Sequence, residues 1–168
     1  LLNQSFNPTV VAARAISVQI SDRVNIFSVN FNTGLYPSII KAYASGESRQ
    51  MFSLITGGSK LTFFLMWIVS LPMIIGMDSI LSTWLIDLPS EAPLFVKLSM
   101  VETLITSISL PLATAARAPG KMQRYELLLG SIQIGIFLLS WYVLHLGAPS
   151  YSVFIVAIVA NLLMFGVR

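Results

Sequence analysis

The interval between Lys60 and Asp78, LTFFLMWIVSLPMIIGM, contains no charged residue and is apolar on every side. At 1.5 Å per residue a helix of this length spans roughly 25 Å, close to the hydrocarbon thickness of a bilayer. Strands of a membrane barrel would instead alternate apolar and polar residues over about ten positions, and this run does not. A helix that is apolar all round must be surrounded by lipid or by other helices.

Four more segments follow the same rule, giving expected transmembrane helices at 9–35, 61–77, 92–116, 127–144 and 151–167. The expected fold is therefore all-α, a polytopic bundle of about five transmembrane helices forming a single domain over 1–168. Composition agrees: 55% of residues are hydrophobic and 10% charged, where a soluble domain carries about 25% charged residues. Mean hydropathy is +0.80. The first residue is Leu, and no charged n-region precedes a short apolar stretch, so no signal peptide is read; the chain opens as if cut from a longer protein.

The net charge of +3 is distributed as topology signals, which argues against a nucleic-acid partner. Lys41, Arg49 and Lys60 fall in the first connection, and Arg117, Lys121 and Arg124 in the third. Asp78, Asp87 and Glu91 mark the second, His145 the fourth, and Arg168 ends the chain. The positive-inside rule places the connection from Lys41 to Lys60, that from Arg117 to Arg124, and the C-terminal end in the cytoplasm. Within the first connection, Met51, Phe52, Leu54 and Ile55 predict a short amphipathic surface helix, after a stop at Gly46 and before a break at Gly57-Gly58. Pro72 and Pro111 predict kinks in the second and third helices. Trp67, Trp84, Trp141 and Tyr142 read as interfacial anchors or packing, and His145 as a surface residue.

The first helix carries the pattern with functional content. At 100° per residue, Arg14, Ser17, Ser21, Asn25, Ser28 and Asn32 fall within about 60° of one line, with Asp22 at its edge. Two readings follow. The stripe lines a water-filled cavity, or it makes hydrogen bonds in a dry helix contact. The first is favoured because intramembrane ionisable groups mark solute pathways. It makes Arg14, Ser21, Asn25, Ser28 and Asn32 the candidate substrate-binding residues. Arg23 projects opposite Arg14 and pairs or snorkels. Glu102, deep in the third helix, is either a protonatable coupling group, with Asp22 as a second, or a hydrogen-bonded structural carboxyl; Lys97 snorkels at the outer interface. Enzyme chemistry finds no support. There is no Gly-rich phosphate loop, no Ser/His/Asp set, no cysteine and one histidine. No catalytic residue, metal site or cofactor is expected.

The stretch FNPTVVAARAISVQISDRVNIFSVNFNTGLYPSIIKAYASGE resembles the signature region of oligosaccharide-lipid flippases. These belong to the multidrug/oligosaccharidyl-lipid/polysaccharide exporter superfamily. The likeness rests on Ala13-Arg14-Ala15-Ile16, Asn30-Phe31, Pro37-Ser38-Ile39-Ile40-Lys41, Tyr43-Ala44 and Gly46-Glu47. It continues through Gly58-Ser59-Lys60, Leu71-Pro72, Trp84-Leu85 and Pro119-Gly120-Lys121. Asp22-Arg23 departs from the commoner pattern and is similar to the Asp-Arg pair of lipid II flippases in the same superfamily. The resemblance implies most of the C-terminal lobe of a two-lobed exporter in the bacterial inner membrane. Its work would be to flip a lipid-diphosphate-linked oligosaccharide, an O-antigen or capsule unit, by alternating access. It further implies that Arg14 engages the diphosphate and that Asn25 and Asn32 contact sugar. The implied partners are the lipid-linked glycan, membrane lipids and the missing N-terminal lobe. Three other readings stay open: a cation-coupled drug exporter of the same superfamily, a membrane glycan polymerase or ligase, and a non-transporting membrane scaffold.

Overall fold

The computed structural model describes residues 6–120 and 122–167; Lys121 and Arg168, both used in the topology reading, lie outside the described residues, as does the side chain of Arg124. Among the described residues, five helices make up the fold: α1 (Pro8–Ala44), α2 (Ser48–Trp84), α3 (Ala92–Arg117), α4 (Gln123–His145) and α5 (Ser152–Val167). Among them α2, α3 and α4 are long and apolar enough to cross a membrane. The chain is an all-helical membrane protein. Helix α5 is apolar apart from Ser152 and Asn161 but has 16 residues, roughly 24 Å at 1.5 Å each. Helix α1 has the length, 37 residues, but its polar stripe makes it less apolar than the other long helices.

Local chemistry sets the helix ends. Pro8 opens α1, where its fixed φ fits and its missing N–H is not needed. Gly46 closes it at φ +71, with Gly46 N–H donating to Tyr43 O at 3.0 Å and Glu47 N–H to Ala42 O at 3.0 Å. This is a Schellman stop, which needs the left-handed residue that glycine supplies without strain. The same device ends α4 at Gly147, φ +81, whose N–H donates to Leu144 O while Ala148 N–H donates to Val143 O. Pro149 follows and prevents continuation.

Two sequence expectations are corrected. The first helix does not stop at residue 35 but runs on to Ala44, through Pro37. Residues 51–55 do not form a separate surface helix. They are the opening turns of α2, which continues through Gly57-Gly58. Tertiary packing overrides the weak helix propensity of the two glycines, about 1 kcal/mol each. Gly58 is buried, and a Cβ there would lie 2.5 Å from Leu35 Cδ1 and 3.6 Å from Pro111 Cγ. The glycine is the point where α1, α2 and α3 approach closely. At 37 residues, α1 and α2 each extend roughly 55 Å, so both outrun the hydrocarbon layer.

Helix α3 is the organising element. It packs on α1, α2 and α5; α1 also packs on α2, and α4 packs on α5. Its buried face mixes Phe95, Val96 and Met100 with Ser99, Thr103, Ser107, Ser109 and Thr114. Small hydroxyl residues let membrane helices approach and bond their own backbone, as Thr103 does to Ser99 O at 2.8 Å. The apolar core gathers at one end of the bundle, where Val10, Ala13, Met77, Leu81, Phe95 and Phe154 meet. Ion pairs join successive helices at both ends. Lys97 pairs with Asp78 across α2–α3, and Arg117 Nε with Glu126 Oε1 at 3.1 Å across α3–α4. Trp141 stacks on His145, centroids 5.4 Å apart and planes 4° from parallel.

Candidate functional site

A cleft of about 510 Å³ opens between α1, α3, α4 and α5. Arg14, Ser21, Asp22 and Asn25 enter it from α1; Glu102, Thr103 and Thr106 from α3; Gln133 from α4; Asn161 from α5. Both acids named as coupling candidates, Asp22 and Glu102, therefore face the same space as Arg14, although they come from different helices. Helix α4 packs on α5, which itself packs on α3, and the cleft lies between these helices and α1.

Arg14 is held from beneath. Its guanidinium carbon lies 4.2 Å from the ring centroid of Phe154, which is fully buried and packs in turn on Phe95 at 4.7 Å. The planar guanidinium suits a ring face, and a desolvated contact of this kind is worth about 1–2 kcal/mol. Among the described residues Arg14 makes no ion pair. Its charge is thus positioned by stacking at the edge of the cleft. Glu102 is anchored differently: its Oε1 accepts from Asn161 Nδ2 at 3.0 Å, and the same amide donates to Ala157 O at 3.0 Å. Asn25 Oδ1 is buried with no hydrogen-bond partner among the described residues, although its residue borders the cleft. An orphaned acceptor at that depth costs about 1–3 kcal/mol unless something donates to it.

The stripe on α1 therefore divides. Arg14, Ser21, Asp22 and Asn25 border the cleft, whereas Ser28 and Asn32 do not. Ser28 is 1% exposed. Asn32 Nδ2 donates to Thr114 Oγ1 at 3.3 Å, a bond between α1 and α3. The stripe from Arg14 to Asn32 is roughly 27 Å long; the residues of its first part from Arg14 to Asn25 border the cleft, and Asn32 near its end bonds to α3. One line of polar residues thus serves both expected purposes, cavity lining and helix contact. Ser17 belongs to neither: it is fully buried and donates to Arg14 O at 2.8 Å. Asp22 and Arg23 form no ion pair, and Arg23 is exposed. Cysteines placed at 21 and 25 should react with a water-soluble maleimide several times faster than cysteines at 28 and 32. Equal rates at all four positions would contradict this division.

Sequence reasoning missed Phe154 and Asn161. Phe154 looks like any apolar residue of α5. Asn161 carried a readable signal, since it is the one amide in that helix, but its pairing with Glu102 spans 59 positions and no local pattern reports it. No metal-ligating cluster of histidine and carboxylate occurs among the described residues. Comparison with protein-family models, with curated proteins and with solved structures returned no match.

Proposed function

We propose that this chain is the C-terminal portion of a flippase that translocates a lipid-diphosphate-linked oligosaccharide across the bacterial inner membrane by alternating access. The observation that carries the reading is Arg14: a guanidinium set by Phe154, without an ion pair among the described residues, at the edge of a polar cleft between apolar helices. A permanent, forked cation in that setting suits a diphosphate, which offers several oxygens to paired N–H donors. Asn25, Ser21, Gln133 and Asn161 supply the neutral donors and acceptors that sugar hydroxyls need. The open side of the cleft gives the lipid tail a route into the bilayer. No bond is made or broken in such a process, so neither a catalytic group nor a cofactor is required. Asn32 serves here as a structural contact to α3, and Ser28 is buried away from the cleft. The connection from Lys41 to Lys60 and the one after Arg117 are read as cytoplasmic. The other lobe supplies the second wall of the site, since alternating access needs two halves moving about a centre.

A second reading has its own support. Two carboxylates, Asp22 and Glu102, share the cleft with one cation, an arrangement suited to cation or proton coupling in a drug exporter. The polymerase or ligase reading wants catalytic residues on a large external loop, and the α2–α3 and α4–α5 connections are short. The deciding experiment reconstitutes the full-length protein in proteoliposomes and follows translocation of a fluorescent lipid-diphosphate oligosaccharide. Translocation above protein-free vesicles is expected. Absence of flipping together with drug efflux in cells lacking glycan-lipid synthesis would replace the flippase with the exporter.

A further inference from the structure

A second depression lies away from the cleft, on the outer side of the α2–α3 seam, with a volume of about 300 Å³. Ile55, Phe63, Ile108 and Leu112 give it an apolar lining, and Ser59 and Lys60 border it. Ser59 spends its hydroxyl on Ile108 O at 3.0 Å, which removes the hydrogen-bonding demand of its floor. Lys60 is exposed and has no ion pair among the described residues.

Depth selects the occupant. Lys60 and Asp78 bound the uncharged interval 61–77, which spans roughly 25 Å of helix. Lys60 therefore stands at headgroup level, Ile108 lies level with it beside Ser59, and Phe63 lies one turn deeper, toward the acyl chains. Lys41 and Arg49, both exposed, add positive charge at the same end of the bundle against Glu47. An apolar groove that runs past an unpaired ammonium and on to Phe63 is complementary to a hydrocarbon chain joined to a phosphate. We infer that this groove binds one anionic phospholipid, its acyl chain along Phe63 and Ile108 and its phosphate on Lys60. The site is independent of the transport cleft and does not rest on the proposed function.

The test uses the full-length protein in nanodiscs containing equal phosphatidylglycerol and phosphatidylcholine of matched chains, with retained lipid counted by native mass spectrometry. Wild type should retain phosphatidylglycerol roughly fivefold over phosphatidylcholine, the effect of one lysine near an anionic headgroup. Lys60→Ala should bring the ratio to parity, and Lys60→Arg should preserve it. Ile108→Trp, which fills the groove, should reduce retention of both lipids. Lys97→Ala, at the opposite end, should leave the ratio unchanged. Excess inorganic phosphate should displace nothing. Parity in wild type, meaning boundary lipid only, would overturn the inference. So would an unchanged ratio in Lys60→Ala, or displacement by phosphate alone.

Discussion

Replacing Arg14 with alanine is expected to slow translocation by the full-length protein at least 100-fold. Two effects combine. The anionic headgroup loses a forked, charge-assisted partner, and each such hydrogen bond contributes about 1.5–3 kcal/mol. Two of them correspond to a factor of about 10²–10⁴ in rate or affinity. The substitution also removes the one cation that offsets Asp22 and Glu102 in the cleft, so with both acids ionised the lining charge goes from −1 to −2 and a diphosphate is repelled more strongly. Arg14→Lys separates charge from shape. Lysine keeps the charge, but it cannot stack flat on Phe154 or offer two parallel N–H bonds. An intermediate loss of roughly 10-fold is expected. The measurement is initial flipping rate in proteoliposomes at matched protein content. A wild-type rate in Arg14→Ala would remove Arg14 from the mechanism and leave the cleft without its anion-binding group.

The largest loss of stability is expected from Phe95→Ala. Phe95 is fully buried in the core that α1, α2, α3 and α5 share, and it supports Phe154. Removing a buried phenyl group costs about 3–5 kcal/mol, including the cavity left behind. For a protein of this size that corresponds to a fall of roughly 10 °C in Tm. Thermal unfolding of the purified protein in detergent, followed by tryptophan fluorescence, reads the effect. Phe95→Leu should cost less than half as much, because most of the volume is kept. A Tm within 2 °C of wild type for Phe95→Ala would mean that this cluster does not hold the bundle together. Because Phe154 carries Arg14, the alanine variant should also weaken transport at temperatures where it remains folded. Structure and site share this one stack of rings.

The helical membrane architecture was written into the chain. Long uncharged runs such as 61–77 have no stable option in lipid other than a helix, since every backbone group must be satisfied within the segment. The stops at Gly46 and after His145 were equally local, because a left-handed residue and a following proline act over a few positions. Arg14, Asp22 and Asn25 could be grouped from sequence because helical periodicity fixes which residues of one helix share a face.

Other features required neighbours that periodicity does not name. Whether a polar face meets an open cleft or another helix depends on what lies across from it, and here the cleft lining ends between Asn25 and Ser28. The continuity of α2 through Gly57-Gly58 was invisible for the same reason: glycine weakens a helix taken alone but permits the close approach of Leu35 and Pro111. Phe154 beneath Arg14 and Asn161 beside Glu102 lie far away in sequence. Local backbone chemistry and solvent preference are properties of short stretches, so the sequence alone determined which segments are helices and where several of them end. The partners of Arg14 and Glu102, and the side of the stripe that is open, depend on contacts between distant segments. Only the tertiary packing of the α4–α5 hairpin against the α1–α3 core decided those.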